Sequence, residues 1–279
     1  MKFNLSKLSR YPAPIRLGIF LITLLVCWLP IAAPIYLLIP DSNLVTILTM
    51  GLLFGEFLLL IQWWGQKVYQ QPYLLKRYGL HRTRRNTLDL LKGLAIGLLF
   101  ALGLFTLEGW FGWLKFQMFP AALPRVIIEG LASALGIGFA EELVFRGWLL
   151  DELQQDYTQR VSLWADAIIF AILHFLKPLS EIIRTLPGFP GLVLLGLTLV
   201  WAKRSSTDAT LRHHGRLGLP IGLHAGLVWG YYIINVGQLV QYSNRVSPWI
   251  TGVDGNPIAG LMGLLLLGIL AFWMRKQLH

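Results

Sequence analysis

Gly138-Phe-Ala-Glu-Glu-Leu-Val-Phe-Arg-Gly147 sets two adjacent carboxylates and an arginine inside an apolar run that starts near Val126. Ionisable groups are costly to hold in such a run, so they mark either a paired network or a working site. Glu142 and Arg146 are four residues apart. A helix therefore puts them on one face, with the glutamate N-terminal in the favourable order. Glu141 is turned about 100° from Glu142 on a helix of 3.6 residues per turn, and it lacks that partner. The stretch reads either as a three-residue structural network or as a device that holds one free carboxylate in place.

The chain around this stretch has 279 residues, of which 55% are hydrophobic and only 14% charged. Ordinary globular chains are about 25% charged. A disordered chain is excluded by its high hydrophobicity. Eight segments approach the roughly 20 apolar residues that a membrane crossing needs. They are residues 15–39, 44–66, 93–114, 126 to beyond Arg146, 161–176, 191–202, 219–236 and 258–274. The fifth is short, and the sixth is the weakest. Pro30 and Pro34 are expected to kink the first segment, whereas Pro190, Pro220 and Pro257 sit where helices should start. The first segment is too long for a signal-peptide core and reads as a retained transmembrane helix. The expected fold is an all-α, polytopic integral membrane protein of about eight transmembrane helices, one membrane domain overall. Its parts are residues 1–125 with three helices and a basic loop, a four-helix core at 126–236, and a last loop and helix at 237–279.

The formal net charge of +10 admits nucleic acid or a membrane surface as partner. With the N-terminus inside, 18 of the 24 Lys and Arg fall on the inner side and five on the outer, with Arg146 left within a helix. That bias is what the positive-inside rule predicts for N-in, C-in topology. The loop from Lys67 to Lys92 carries seven of these cations. It reads as a juxtamembrane segment facing anionic lipid, and no nucleic-acid motif accompanies it. The single cysteine, Cys27, lies in an apolar run. It excludes an intramolecular disulfide and reads as a packing residue.

Other ionisable residues fall in or near the apolar segments. Glu56 and Glu108 stand without a local cation, Glu129 and Asp166 lie near expected helix ends, and all four read as packing residues. His174 closes Phe170-Ala-Ile-Leu-His174 on the fifth segment. His224 sits in Gly222-Leu-His-Ala-Gly226 on the seventh, where the glycine pair lets a neighbouring helix approach closely. His81, His213 and His214 lie in basic loops and read as solvated. A glutamate and two histidines on three helices fit two chemistries. They can activate a water and stabilise an oxyanion, or they can ligate zinc as a His/His/Glu set. Spacing does not separate the two, and no His-Glu-x-x-His stretch is present.

These motifs resemble the CPBP family, the CAAX-protease and bacteriocin-processing group that includes type II CAAX prenyl endopeptidases and abortive-infection proteins. The matching residues are Glu141-Glu142-Leu-Val-Phe-Arg146, then Phe170-Ala-Ile-Leu-His174, then, in part, His224-Ala-Gly-Leu-Val228. The resemblance implies an intramembrane endopeptidase acting on a membrane-associated protein or peptide, with the bilayer as its other partner. Glu141 would activate water with His174 assisting, His224 would bind the oxyanion, and Glu142 and Arg146 would support the site. No cofactor is expected in this mechanism; the alternative is Zn held by Glu141, His174 and His224. Val228 departs from the family's Asn or Asp, which favours a non-catalytic scaffold on the same fold as the second reading. A transporter is the third. Of Trp229, Tyr231, Tyr232 and Asn235, which could replace the missing donor, Tyr232 lies two turns along the His224 face. Counted from expected inner helix ends at 1.5 Å per residue, Glu141 lies about 21 Å deep, His174 about 24 Å and His224 about 9 Å. Tilt or an earlier start of the seventh helix has to close that gap.

Overall fold

A computed structural model of the chain describes residues 5–207 and 215–278. His213 and His214 lie outside the described residues. In chain order the elements are α1 (Ala13–Leu38), α2 (Ser42–Lys67), α3 (Leu74–Arg77), α4 (Arg84–Trp110), β1 (Leu114–Phe116) and α5 (Leu123–Glu142). A π-helical segment (Leu143–Leu149) follows, then α6 (Leu150–Asp156), α7 (Gln159–Leu173), α8 (Leu179–Thr185) and α9 (Phe189–Ser205). The last are α10 (Gly218–Val236), β2 (Val240–Tyr242), α11 (Pro248–Thr251) and α12 (Leu261–Lys276). Six helical runs among the described residues are long and apolar enough to cross a membrane. Large apolar side chains such as Ile22, Val26, Leu59, Leu99 and Ile128 point outward from them, as a lipid-facing surface requires. The protein is an all-α, multi-pass integral membrane protein.

Six candidate spans stand beside the eight segments expected. The fifth and eighth segments form α7 and α12, of 15 and 16 residues, about 22 and 24 Å at 1.5 Å per residue. A hydrocarbon core is about 30 Å thick. The weakest expected segment, the sixth, belongs to a 27-residue apolar run, Leu179–Ser205. α1 continues as one helix through Pro30 and Pro34.

Contacts group the chain into two units. One comprises Met1–Arg77 with Asp151–Tyr157. In it Phe20 of α1 meets Phe57 and Trp64 of α2 edge-on, at 5.9 and 5.4 Å between ring centres. Arg16, in the first turn of α1, is buried and donates from Nε to Glu152 Oε2 at 2.9 Å. Tyr69 also donates to Glu152, at 2.6 Å. Burial and the Glu152 charge push this phenol up from its ordinary value, so it stays a donor. Cys27 corrects its packing assignment, because it is exposed: the outer face of a membrane helix is as apolar as a core, and composition cannot tell them apart.

The other unit comprises Tyr78–Leu150 with Thr158–His279. Its most extensive pairing is α4 with α10. A Cβ on Gly222 or Gly226 would run into the carbonyls of Leu90 and Leu94, and one on Gly93 or Gly97 into those of Leu219 and Leu223. The two helices therefore pack backbone to backbone and parallel. α5 lies antiparallel on α10, with Gly130 against the Tyr232 ring and Gly138 against Ile221 and Ala225. A second layer joins α7 to α9 through Leu163, Ala167, Leu197 and Val200. β1 and β2 form a short antiparallel ladder, Leu114 opposite Tyr242 and Phe116 opposite Val240.

Candidate active site

α5 ends at Glu142, and the π-helical segment begins at the next residue. π segments are rare and gather at functional sites. Arg146, inside it, is fully buried and donates from Nη1 to Glu142 Oε1 at 3.0 Å. The shared face expected from the four-residue spacing is present. Nη2 donates to the Gly196 carbonyl at 3.3 Å, and Nε stands 3.5 Å from Asp166 Oδ2. The guanidinium lies 4.2 Å from the Phe170 ring centre, a desolvated cation–π contact. Lys203 Nζ donates to the Arg146 carbonyl at 2.6 Å. Two buried cations thus face two buried carboxylates, which is the condition for holding charge in a dry interior.

This network sets the histidines. His224 donates from Nδ1 to Glu142 Oε1 at 2.9 Å. His174 caps the end of α7 and donates from Nδ1 to the Phe170 carbonyl at 2.8 Å. A carbonyl and a carboxylate can only accept, so each neutral ring carries its hydrogen on Nδ1 and offers a lone pair at Nε2. The Phe170 ring packs 4.4 Å from His174 and 6.2 Å from His224, centre to centre. Both Nε2 atoms face Glu141 Oε2, His174 at 3.7 Å and His224 at 3.9 Å. These separations are too long for direct hydrogen bonds and are within the span of one bridging water. Glu141 Oε2 is buried without a hydrogen-bond partner among the described residues, although 31% of the side chain is accessible. His174, His224 and Val228 line an apolar cavity of about 250 Å³.

The structure thus gathers Glu141, Glu142, Arg146, His174 and His224 in one place. The depth gap closes without an earlier start to α10. Residues Gly218 to Gly226 are all buried, and the Gly218 N–H donates to Asn86 Oδ1 at 2.8 Å. α10 begins inside the protein, so helix ends are not level and counting from them misplaced His224. Asp166 corrects its assignment to a helix end: it is fully buried beside Arg146. It precedes Phe170 and His174 by four and eight residues, a spacing that could have revealed it. Lys203 carried no such signal. Tyr232 lies against Gly130, whereas Tyr231 lines the cavity. Glu129 forms an exposed pair with Arg125 at 2.7 Å. Glu108 is fully buried, without hydrogen-bond partners for its carboxylate among the described residues. Glu56 belongs to α2 in the other unit. His81 is half-buried rather than solvated.

Residues 122–240 match the Type II CAAX prenyl endopeptidase Rce1-like family, a CPBP family. The Rce1-like segment runs from α5 through α10 and holds every residue of the Glu/His/Arg constellation. No curated protein and no solved structure matches the chain. Glu141, His174 and His224 are also the alternative zinc set. Among the described residues, no group of three or more His, Cys, Asp or Glu side chains is arranged to hold a metal ion.

Proposed function

We propose that the protein is an intramembrane endopeptidase of the CPBP type that hydrolyses peptide bonds at or within the bilayer. One observation carries this reading. A buried, unpartnered carboxylate oxygen of Glu141 faces two imidazole lone pairs at water-bridging distance, beside an apolar cavity. A water bound to Glu141 Oε2 and His174 Nε2 has both hydrogens accepted, and its oxygen lone pair is directed outward. As that oxygen attacks the scissile carbonyl, Glu141 takes the proton and later returns it to the leaving amine. His174 orients the water, and its own ring is fixed by the Phe170 carbonyl. His224 lacks a hydrogen at Nε2 in its neutral form. It could donate to an oxyanion only with a second ring hydrogen, at Nε2.

The substrate is a membrane-associated peptide, since its scissile bond must reach a site among apolar helices. The test uses purified full-length protein in detergent with two internally quenched peptides, one bearing a prenylated cysteine and its unprenylated counterpart. Cleavage of at least one is expected. It should disappear in Glu141→Ala and His174→Ala, persist in Glu56→Ala, and survive chelator treatment. Activity lost together with a stoichiometric metal would contradict the metal-free chemistry. The second reading, a non-catalytic scaffold, is favoured by Val228, which lines the cavity without a donor. Partner binding that survives Glu141→Ala, with no cleavage of either peptide by the wild type, would favour it.

A further inference from the structure

Acyl transfer places negative charge on the scissile oxygen, and preorganised donors aimed at that oxygen are often the largest single contribution to the rate. Neither histidine supplies such a donor in its neutral form, because both ring hydrogens are committed at Nδ1. Val228 has none to give. The Trp229 indole donates to the Ile127 carbonyl at 2.9 Å, and the Asn235 amide donates to the Tyr231 hydroxyl at 2.6 Å.

A neutral donor comes from elsewhere in the chain. Asn256 lines the same cavity as His174, His224 and Val228. Its Oδ1 accepts from the Ile258 N–H at 3.3 Å, which fixes the side-chain amide plane. Its Nδ2 has no acceptor among the described residues and lies beside Gly188, at the start of α9. The next residue, Phe189, packs at a tilt against Phe175 at 5.8 Å between ring centres, and Phe175 follows His174 in the chain. The backbone of Asn256 is held at both ends. Its N–H donates to the Val253 carbonyl at 3.0 Å, and its carbonyl accepts from the Ala259 N–H at 3.0 Å. The loop turns at Gly252, whose φ of 132° is open to glycine and rarely to other residues. This is a fixed amide with unused N–H groups on the wall of a mostly apolar cavity that also holds His174, His224 and Tyr231.

We propose that the Asn256 side-chain amide is the neutral oxyanion donor of this site, supplying from the 252–260 loop what Val228 cannot supply from α10. This rests on the peptidase reading. As the water oxygen bonds to the scissile carbon, the carbonyl π pair moves onto oxygen, and an Asn256 Nδ2–H bonds to that oxygen. The pair returns when the C–N bond breaks and the amine leaves with the proton from Glu141.

The test is steady-state cleavage of the quenched peptides by Asn256→Ser in the full-length protein. Serine keeps an oxygen for the Ile258 N–H and adds no charge, but it is too short to present its donor at the same point. The expected result is a fall in kcat of about 10²–10³, with KM and the thermal midpoint unchanged. Partial recovery is expected when Val228→Asn is added to Asn256→Ser. An Asn256→Ser enzyme within threefold of wild type would overturn the assignment. So would a loss confined to KM or matched by a lowered midpoint, or a loss of that size in Tyr231→Phe alone. Wild-type protein that cleaves neither peptide, or cleavage that survives Glu141→Ala, would overturn the peptidase reading itself and this inference with it.

Discussion

Arg146 is the residue on which the site's geometry turns. It holds Glu142 at 3.0 Å, and Glu142 in turn holds His224 at 2.9 Å. It also neutralises Asp166 and covers Phe170, the ring that backs both histidines. Removing one partner of a buried ion pair costs about 3–5 kcal/mol, because the other charge stays buried and unpaired. Arg146→Met should therefore destabilise the protein by about that amount, read as a lowered midpoint of chemical unfolding in detergent. Asp166→Asn should have a smaller effect, since Glu142 remains to pair the arginine. The Glu142–Arg146 pair was legible from the four-residue spacing alone. The tautomers were not, because they depend on the Phe170 carbonyl and on the distance between helices. Asn256 was not legible either: it stands 32 residues beyond His224 in a loop, and nothing in its local sequence marks a cavity wall.

At the scale of elements, the α4 and α10 pair carries His224 to the site. Gly222 and Gly226 are visible in sequence as a small-residue pair, but their partner was not. Gly93 and Gly97 on α4 complete the contact, and each glycine faces a carbonyl on the other helix. A Cβ there forces the helices apart. Gly226→Val should lower stability by about 1–3 kcal/mol, the usual effect of overpacking, and should reduce peptide cleavage because His224 is two residues away. Gly103→Val on α4 is the control, since a Cβ there meets open space. Unchanged stability in Gly226→Val would contradict the close approach. Helix lengths were read less well than helix existence. α7 ends at Leu173 because His174 turns back to cap it, a local hydrogen bond that hydropathy does not record. α10 starts inside the protein because Asn86 receives its first N–H.

At the scale of the molecule, the greasy composition correctly predicted a multi-pass membrane protein. The skewed Lys and Arg distribution predicts its orientation. Single cysteines at Lys76 and Arg245 in a Cys27→Ser background test the orientation in sealed vesicles. An impermeant maleimide should label them from opposite sides, with Lys76 cytoplasmic; labelling of both from one side would contradict the N-in, C-in arrangement. The central claim is that a carboxylate held among membrane helices activates water for peptide hydrolysis. The most direct measurement is kcat for a quenched membrane peptide in proteoliposomes, comparing wild type with Glu141→Gln, which keeps the size of the side chain and removes its basicity. A fall of at least about 10², in the range that general base catalysis contributes, with unfolding unchanged, is the predicted result. A Glu141→Gln protein that cleaves within threefold of wild type would contradict it.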